Sequence, residues 1–164
     1  MAVMENPHPP KASPTLLASA SQRSSLAVLW LLACAVLLWL VSLALPGFTV
    51  ARSPEPWPGA RNLGYGLVFG WLCRGWAVYA NIFFFVAVLQ LFRGKLPIVS
   101  TATMVVLAFT LPLFNGVPRD EGTGVILPVE SWGLGAGLWL ASLLALAVAV
   151  AVRAWSPAMV SHGV

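Results

Sequence analysis

The sequence predicts an all-α integral membrane protein, a four-helix bundle behind a disordered N-terminal tail. Three observations carry that reading. The chain of 164 residues is 59% apolar and only 9% charged, against roughly 25% charged in an average globular domain. Its apolar residues gather in long uncharged runs rather than in short amphipathic stripes. The central run, GWAVYANIFFFVAVLQLF, sets eighteen uncharged residues between Arg74 and Arg93. As a helix it covers about 27 Å, close to the roughly 30 Å hydrocarbon thickness of a bilayer.

The elements follow in order. Residues 1–25 are rich in Pro, Ser and Ala, show no sustained period, and are expected to be a disordered cytoplasmic tail. The first span is expected at 26–45, twenty uncharged residues stopped by Pro46-Gly47. Ser42-Leu43-Ala44 would suit a signal-peptide cleavage, yet the run exceeds the roughly 7–15 apolar residues of such a leader. Cleavage before Cys34 would leave eleven further uncharged residues of the run behind it. An uncleaved span is the reading taken.

The next stretch, residues 46–64, holds four prolines and three glycines. Proline at this density opposes helix and central strand alike, so an extended loop is expected. Residues 65–73 (YGLVFGWLC) are too short to cross a membrane alone. They read either as an interfacial or re-entrant piece or as the first turns of a long, tilted second helix. The second version is preferred, because no proline or polar turn divides the two. Trp71 and Trp76 beside Arg74 suit a headgroup-level corner.

The second span is placed at 74–92 and, after the Arg93-Gly94-Lys95 turn, the third at 96–114. Pro97 falls in the third span's first turn, where a missing N–H is harmless. A loop over 115–131 carries three of the five acidic residues, the fourth span covers 132–152, and 154–164 is a second cytoplasmic tail. Lys11, Arg23, Arg93, Lys95 and Arg153 fall on one side, and Arg52, Arg61, Arg74 and Arg119 on the other. Most of the first set abut span ends, so both termini are expected in the cytoplasm.

Several function classes are disfavoured. The net charge of +4 comes from scattered residues, whereas a nucleic-acid partner needs a clustered basic face. Cys34 and Cys73 form no C-x-x-C, and His8 and His162 lie in the tails, so neither thiol redox chemistry nor a metal site is expected.

Three constellations remain. Gly133, Gly137, Ala141, Ala145 and Ala149 recur every four residues in the fourth span. Such a small-residue row suits close helix packing, either with a second copy or with a neighbouring helix of the same chain, the latter preferred. Arg74 and Asn81 lie seven residues apart and would share a face of the second span, with Gln90 opposite. Polar groups at membrane depth are functional candidates, and Ser100, Thr103 and Thr110 of the third span are natural partners. A structural hydrogen bond at Asn81 is preferred to a ligand or ion role. Asp120 and Glu121 are adjacent carboxylates that could pair with Arg74, but no His, Ser or Cys stands near them to complete a catalytic set.

The segments FGWL (69–72), AVYAN (77–81), DEG (120–122) and GLGAGLWLAS (133–142) resemble those of a group of small uncharacterised bacterial membrane proteins, over about residues 26–153. The resemblance implies a bacterial inner-membrane home and brings no activity. The expected function is non-enzymatic and without cofactors: a membrane scaffold or accessory subunit whose partners are the bilayer and a membrane protein or second copy of the chain. The alternative is a small-solute transporter or channel subunit using Arg74, Asn81 and the facing hydroxyls. A third is a lipid-acting membrane enzyme using Asp120 or Glu121.

Overall fold

The computed structural model describes residues 14–51, 55–118 and 126–155. It is mostly helical, with two helices long and apolar enough to cross a membrane. The first, α1, runs Pro14–Ala44, and its apolar part is Ser25–Ala44. The helix thus starts at Pro14 rather than Leu26, which corrects the expected disorder over 14–25; residues 1–13 lie outside the described residues. The segment TLLASASQRSS holds neither glycine nor proline after Pro14. Extending an existing helix adds a hydrogen bond per residue with no new nucleus, and proline is tolerated in the first turn.

Where a proline-rich loop was expected, the chain forms β1 (Pro46–Val50), β2 (Trp57–Pro58) and α2 (Gly59–Phe69). Pro46 and Pro58 sit at strand ends, opposite one another, where the absent N–H breaks no internal rung. Residues 65–73 therefore do not begin a long second helix. Most belong to α2, which ends in a tight reversal. The Gly75 and Cys73 N–H groups both donate to the Gly70 carbonyl, at 2.6 and 3.2 Å. Arg74 stands between them in the left-handed region, with φ 56°.

The second apolar segment is a 3-10 turn (Trp76–Tyr79) running into α3 (Ala80–Phe92), and the third is α4 (Ile98–Ala108) followed by a 3-10 turn at Leu111–Leu113. Both are shorter than the expected spans 74–92 and 96–114. Between them Gly94 (φ 75°) closes α3. Its own N–H bonds Leu91 O at 3.0 Å and the Lys95 N–H bonds Gln90 O at 2.9 Å, the bond pair of a glycine C-cap.

After α4 come β3 (Val117–Pro118), β4 (Ile126–Leu127), β5 (Val129–Trp132) and α5 (Leu134–Ala154). The all-α expectation is thus corrected: β2-β1-β5 make a three-stranded antiparallel sheet, and β3-β4 a two-stranded one. Phe48, Thr49 and Val50 supply the aromatic and β-branched residues that favour a strand. They pair with Trp132, Ser131 and Val129, and Thr49 and Ser131 join their hydroxyls at 2.8 Å.

The antiparallel pair α1/α5 therefore continues directly into the ribbon β1/β5, which caps one end of the bundle. Gly133 and Gly135 permit the close approach at this junction. A side chain at Gly133 would collide with the Pro46 carbonyl, and a Cβ on Gly135 would stand 2.8 Å from the Leu45 and Pro46 oxygens. The main core lies below, where Ala35, Ala80, Phe84, Ala87, Met104 and Leu146 are completely buried. A second cluster of Phe48, Val50 and Val117 fills the cap.

Candidate functional site

Asn81 is the polar centre of the helix assembly. It lies in the first turn of α3, buried, and its Oδ1 accepts the indole N–H of Trp39 at 2.8 Å and that of Trp139 at 2.9 Å. Its Nδ2 donates to Val78 O at 2.7 Å. Both lone pairs of the oxygen are thus engaged. The two indoles come from α1 and α5, so one side chain ties α3 to the helix pair. Phe84 and Phe85 close around Trp39 with ring centroids 6.2 and 4.8 Å away.

Three residues beyond each tryptophan stands a buried serine. Ser42 Oγ donates to Trp39 O and Ser142 Oγ to Trp139 O, each at 2.6 Å. A serine bonded back to its own helix needs no partner elsewhere and lets another backbone come close. On one side Ser42 O already lies 3.0 Å from where a Cβ on Gly135 would be.

Above Asn81, under the cap, lies a partly open apolar chamber of about 140 Å³. Its walls include Phe48, Trp57, Tyr65, Phe114, Trp132 and Trp139. Phe48 organises them, with Trp57, Phe114 and Trp132 at 5.9, 5.4 and 5.9 Å. Arg61 covers Trp57 from outside, its guanidinium carbon 4.1 Å from the ring centre, a favourable stacking of cation on aromatic face. Asn62 also lines the chamber, and its Oδ1 is buried with no hydrogen-bond partner. Gly47 makes room for that amide, since a Cβ there would strike the Asn62 nitrogen. Cys73, on the same wall, is a free thiol whose burial pushes its pKa up from the usual value.

No family model, curated protein or solved structure matches this chain.

The residues singled out in the sequence meet different ends. Arg74 and Asn81 do not share a helical face, because Arg74 is exposed in the reversal before α3. Thr103 and Thr110 are not partners of Asn81: they donate to Val99 O and Leu107 O of their own segment, at 3.0 and 2.6 Å. Ser100 bonds Gln90 Oε1 at 3.2 Å, joining α4 to α3. Asp120 and Glu121 lie outside the described residues.

The small-residue row of α5 is not a single contact face. Ala149 is fully buried, whereas Gly137 is exposed with open space around it. A row at intervals of four turns about 40° per step in a helix of 3.6 residues per turn, so Gly133 and Ala149 point to different sides. The packed face is instead Gly135, Ser142, Leu146 and Ala149. Among the described residues, no three His, Cys, Asp or Glu side chains gather to hold a metal.

The tryptophan pair was missed, although a signal for it exists. LWLVSL (38–43) and LWLASL (138–143) are near-identical. The repeat gains its meaning once α1 and α5 are antiparallel, which sets both indoles at one level.

Proposed function

We propose that the chain is a four-span membrane protein of the bacterial inner membrane, with both termini cytoplasmic. In this reading the segments at Trp76–Phe92 and Ile98–Leu113 cross beside α1 and α5, and the capped end faces outward. Its role is non-enzymatic, that of a small scaffold or accessory subunit meeting a membrane-protein partner or a second copy of itself.

One observation carries this reading over transport. A solute-binding asparagine must offer its amide to a passing ligand, whereas the Asn81 oxygen is already held by Trp39 and Trp139. Large apolar side chains exposed on α1, α3 and α4, among them Trp30, Phe92, Val99 and Phe109, suit contact with lipid and with other membrane helices.

The test is extraction from the native membrane in a copolymer disc, without detergent, followed by mass spectrometry of everything retained. A stoichiometric protein partner or a defined oligomer is expected. A monomer that emerges alone would overturn the accessory-subunit reading.

A further inference from the structure

We propose that the end of the bundle opposite the cap seats the headgroup of an anionic phospholipid on Arg93, Lys95 and Arg153. Arg153 is far from the other two in sequence, and the fold brings it to them. Its Nη2 donates to Gly94 O at 2.8 Å, so its guanidinium rests on the backbone between Arg93 and Lys95. A Cβ on Gly94 would meet that nitrogen alone, at 4.0 Å, so the space beside it is otherwise open. Arg93 and Lys95 are exposed and Arg153 is half-buried. The Gly94 and Leu91 carbonyls engage two of the five N–H groups of Arg153. They leave its charge in place.

Among the described residues no carboxylate answers these cations, because Glu55 and Glu130 both belong to the capped end. Three like charges on one turn relieve their mutual repulsion by gathering an anion. A phosphodiester supplies the charge, and its oxygens match the fork of a guanidinium.

The surroundings select a lipid over a free phosphate. Phe92 before the turn, Ile98 and Val99 after it, and Trp155 beyond Arg153 are all exposed, Val99 by 79% and Trp155 by 86%. A soluble anion gains nothing from such surfaces. A phospholipid lays its chains on them while its phosphate meets the cations, and tryptophan suits the headgroup level between. This inference rests on the membrane reading above and adds which lipid the bundle selects. It does not depend on a protein partner.

The experiment is native mass spectrometry of the full-length protein released from nanodiscs of phosphatidylglycerol and phosphatidylcholine in equal parts, with identical chains. Preferential retention of phosphatidylglycerol is expected, weakening as salt rises. A Lys or Arg at the membrane surface favours anionic lipid by about fivefold, so Arg93→Gln with Lys95→Gln should cut the preference by about 25-fold. The charge-matched pair Arg61→Gln with Arg74→Gln, at the capped end, should leave it unchanged. Lys95→Gln alone, expected to cost about fivefold, decides the matter if the first pair does not fold.

Equal retention of the two lipids, or an equal loss of preference in the capped-end pair, would overturn the proposal. So would displacement of the retained lipid by soluble glycerol 3-phosphate at matched concentration, since the apolar surroundings would then contribute nothing. An alkaline wash of the native membrane separates this inference from the reading beneath it. A protein stripped by the wash is not integral, and both fall. An integral protein without a lipid preference removes this inference alone.

Discussion

Trp39 and Trp139 donate their indole N–H groups to the same atom, Oδ1 of Asn81. The two tryptophans lie in matching LWLxSL segments on antiparallel helices. The chain thus meets a buried acceptor from both sides with one sequence device used twice. No charge is needed, and each indole buries a large apolar surface while its polar edge is satisfied.

Replacing the acceptor tests this directly. Asn81→Leu leaves two indole donors unpaired and is expected to lower stability by about 2 kcal/mol. Trp39→Phe should cost less, because the oxygen keeps its bond from Trp139. A double-mutant cycle between Asn81→Leu and Trp39→Phe, read by thermal or denaturant unfolding in detergent, should give a coupling of at least about 0.6 kcal/mol. Zero coupling would mean that the indole–amide geometry contributes nothing.

The glycines of α5 divide into two kinds. Gly133→Ala drives a methyl into the Pro46 carbonyl where the helix pair meets the ribbon, while Gly137→Ala meets nothing within 4 Å. The first should destabilise strongly. The second should stabilise by up to about 1 kcal/mol through helix propensity. Equal unfolding midpoints for the two variants would refute the close α5–β1 approach.

What could be read from the chain, and what could not, follows from range. The two long apolar runs announced α1 and α5, and Arg93-Gly94-Lys95 announced a turn that Gly94 indeed makes with positive φ. Strands of two to five residues rich in proline carry almost no periodic signal. β1 and β5 find each other only because the helices beside them are already antiparallel. The break between α2 and α3 was hidden for another reason. It rests on an arginine in a conformation that usually belongs to glycine. Asn81 was recognised as the polar focus, but its partners sit on the first and last helices rather than on α4.

Arg74 and Gly94 both take positive φ, in the turns that follow α2 and α3, and each precedes a residue whose N–H bonds a carbonyl five residues back. A side chain with a Cβ pays about 1–2 kcal/mol there. Arg74→Gly is therefore expected to raise stability by roughly 0.5–1 kcal/mol after allowance for glycine's greater unfolded freedom, and Gly94→Ala to lower it by a similar amount. Opposite shifts in midpoint are the diagnostic result. Shifts of the same sign would show that the two reversals are not alike.

Cys73 should be slow to alkylate. Burial disfavours its thiolate and moves the pKa upward, and the thiolate is the species that reacts. In a Cys34→Ala background, iodoacetamide labelling followed by mass should therefore rise only above the usual thiol range. Labelling that is half-maximal at the ordinary thiol pKa would place Cys73 in solvent.

Arg153 joins the last turn of α5 to the turn between α3 and α4. Its Nη2 donates to Gly94 O at 2.8 Å, and its Nη1 reaches Leu91 O at 3.5 Å. These carbonyls belong to the end of α3, where helix dipole and unpaired acceptors both favour a cation. The shorter bond is solvent-exposed, so the effect is modest: Arg153→Met should lower stability by about 1 kcal/mol. Arg153→Lys should fall between, since an ammonium lacks the fork that meets two carbonyls at once. If Arg153→Lys matched the parent, one donor would suffice. If Arg153→Met also matched it, the α5 end would be held to the α3–α4 turn by packing alone.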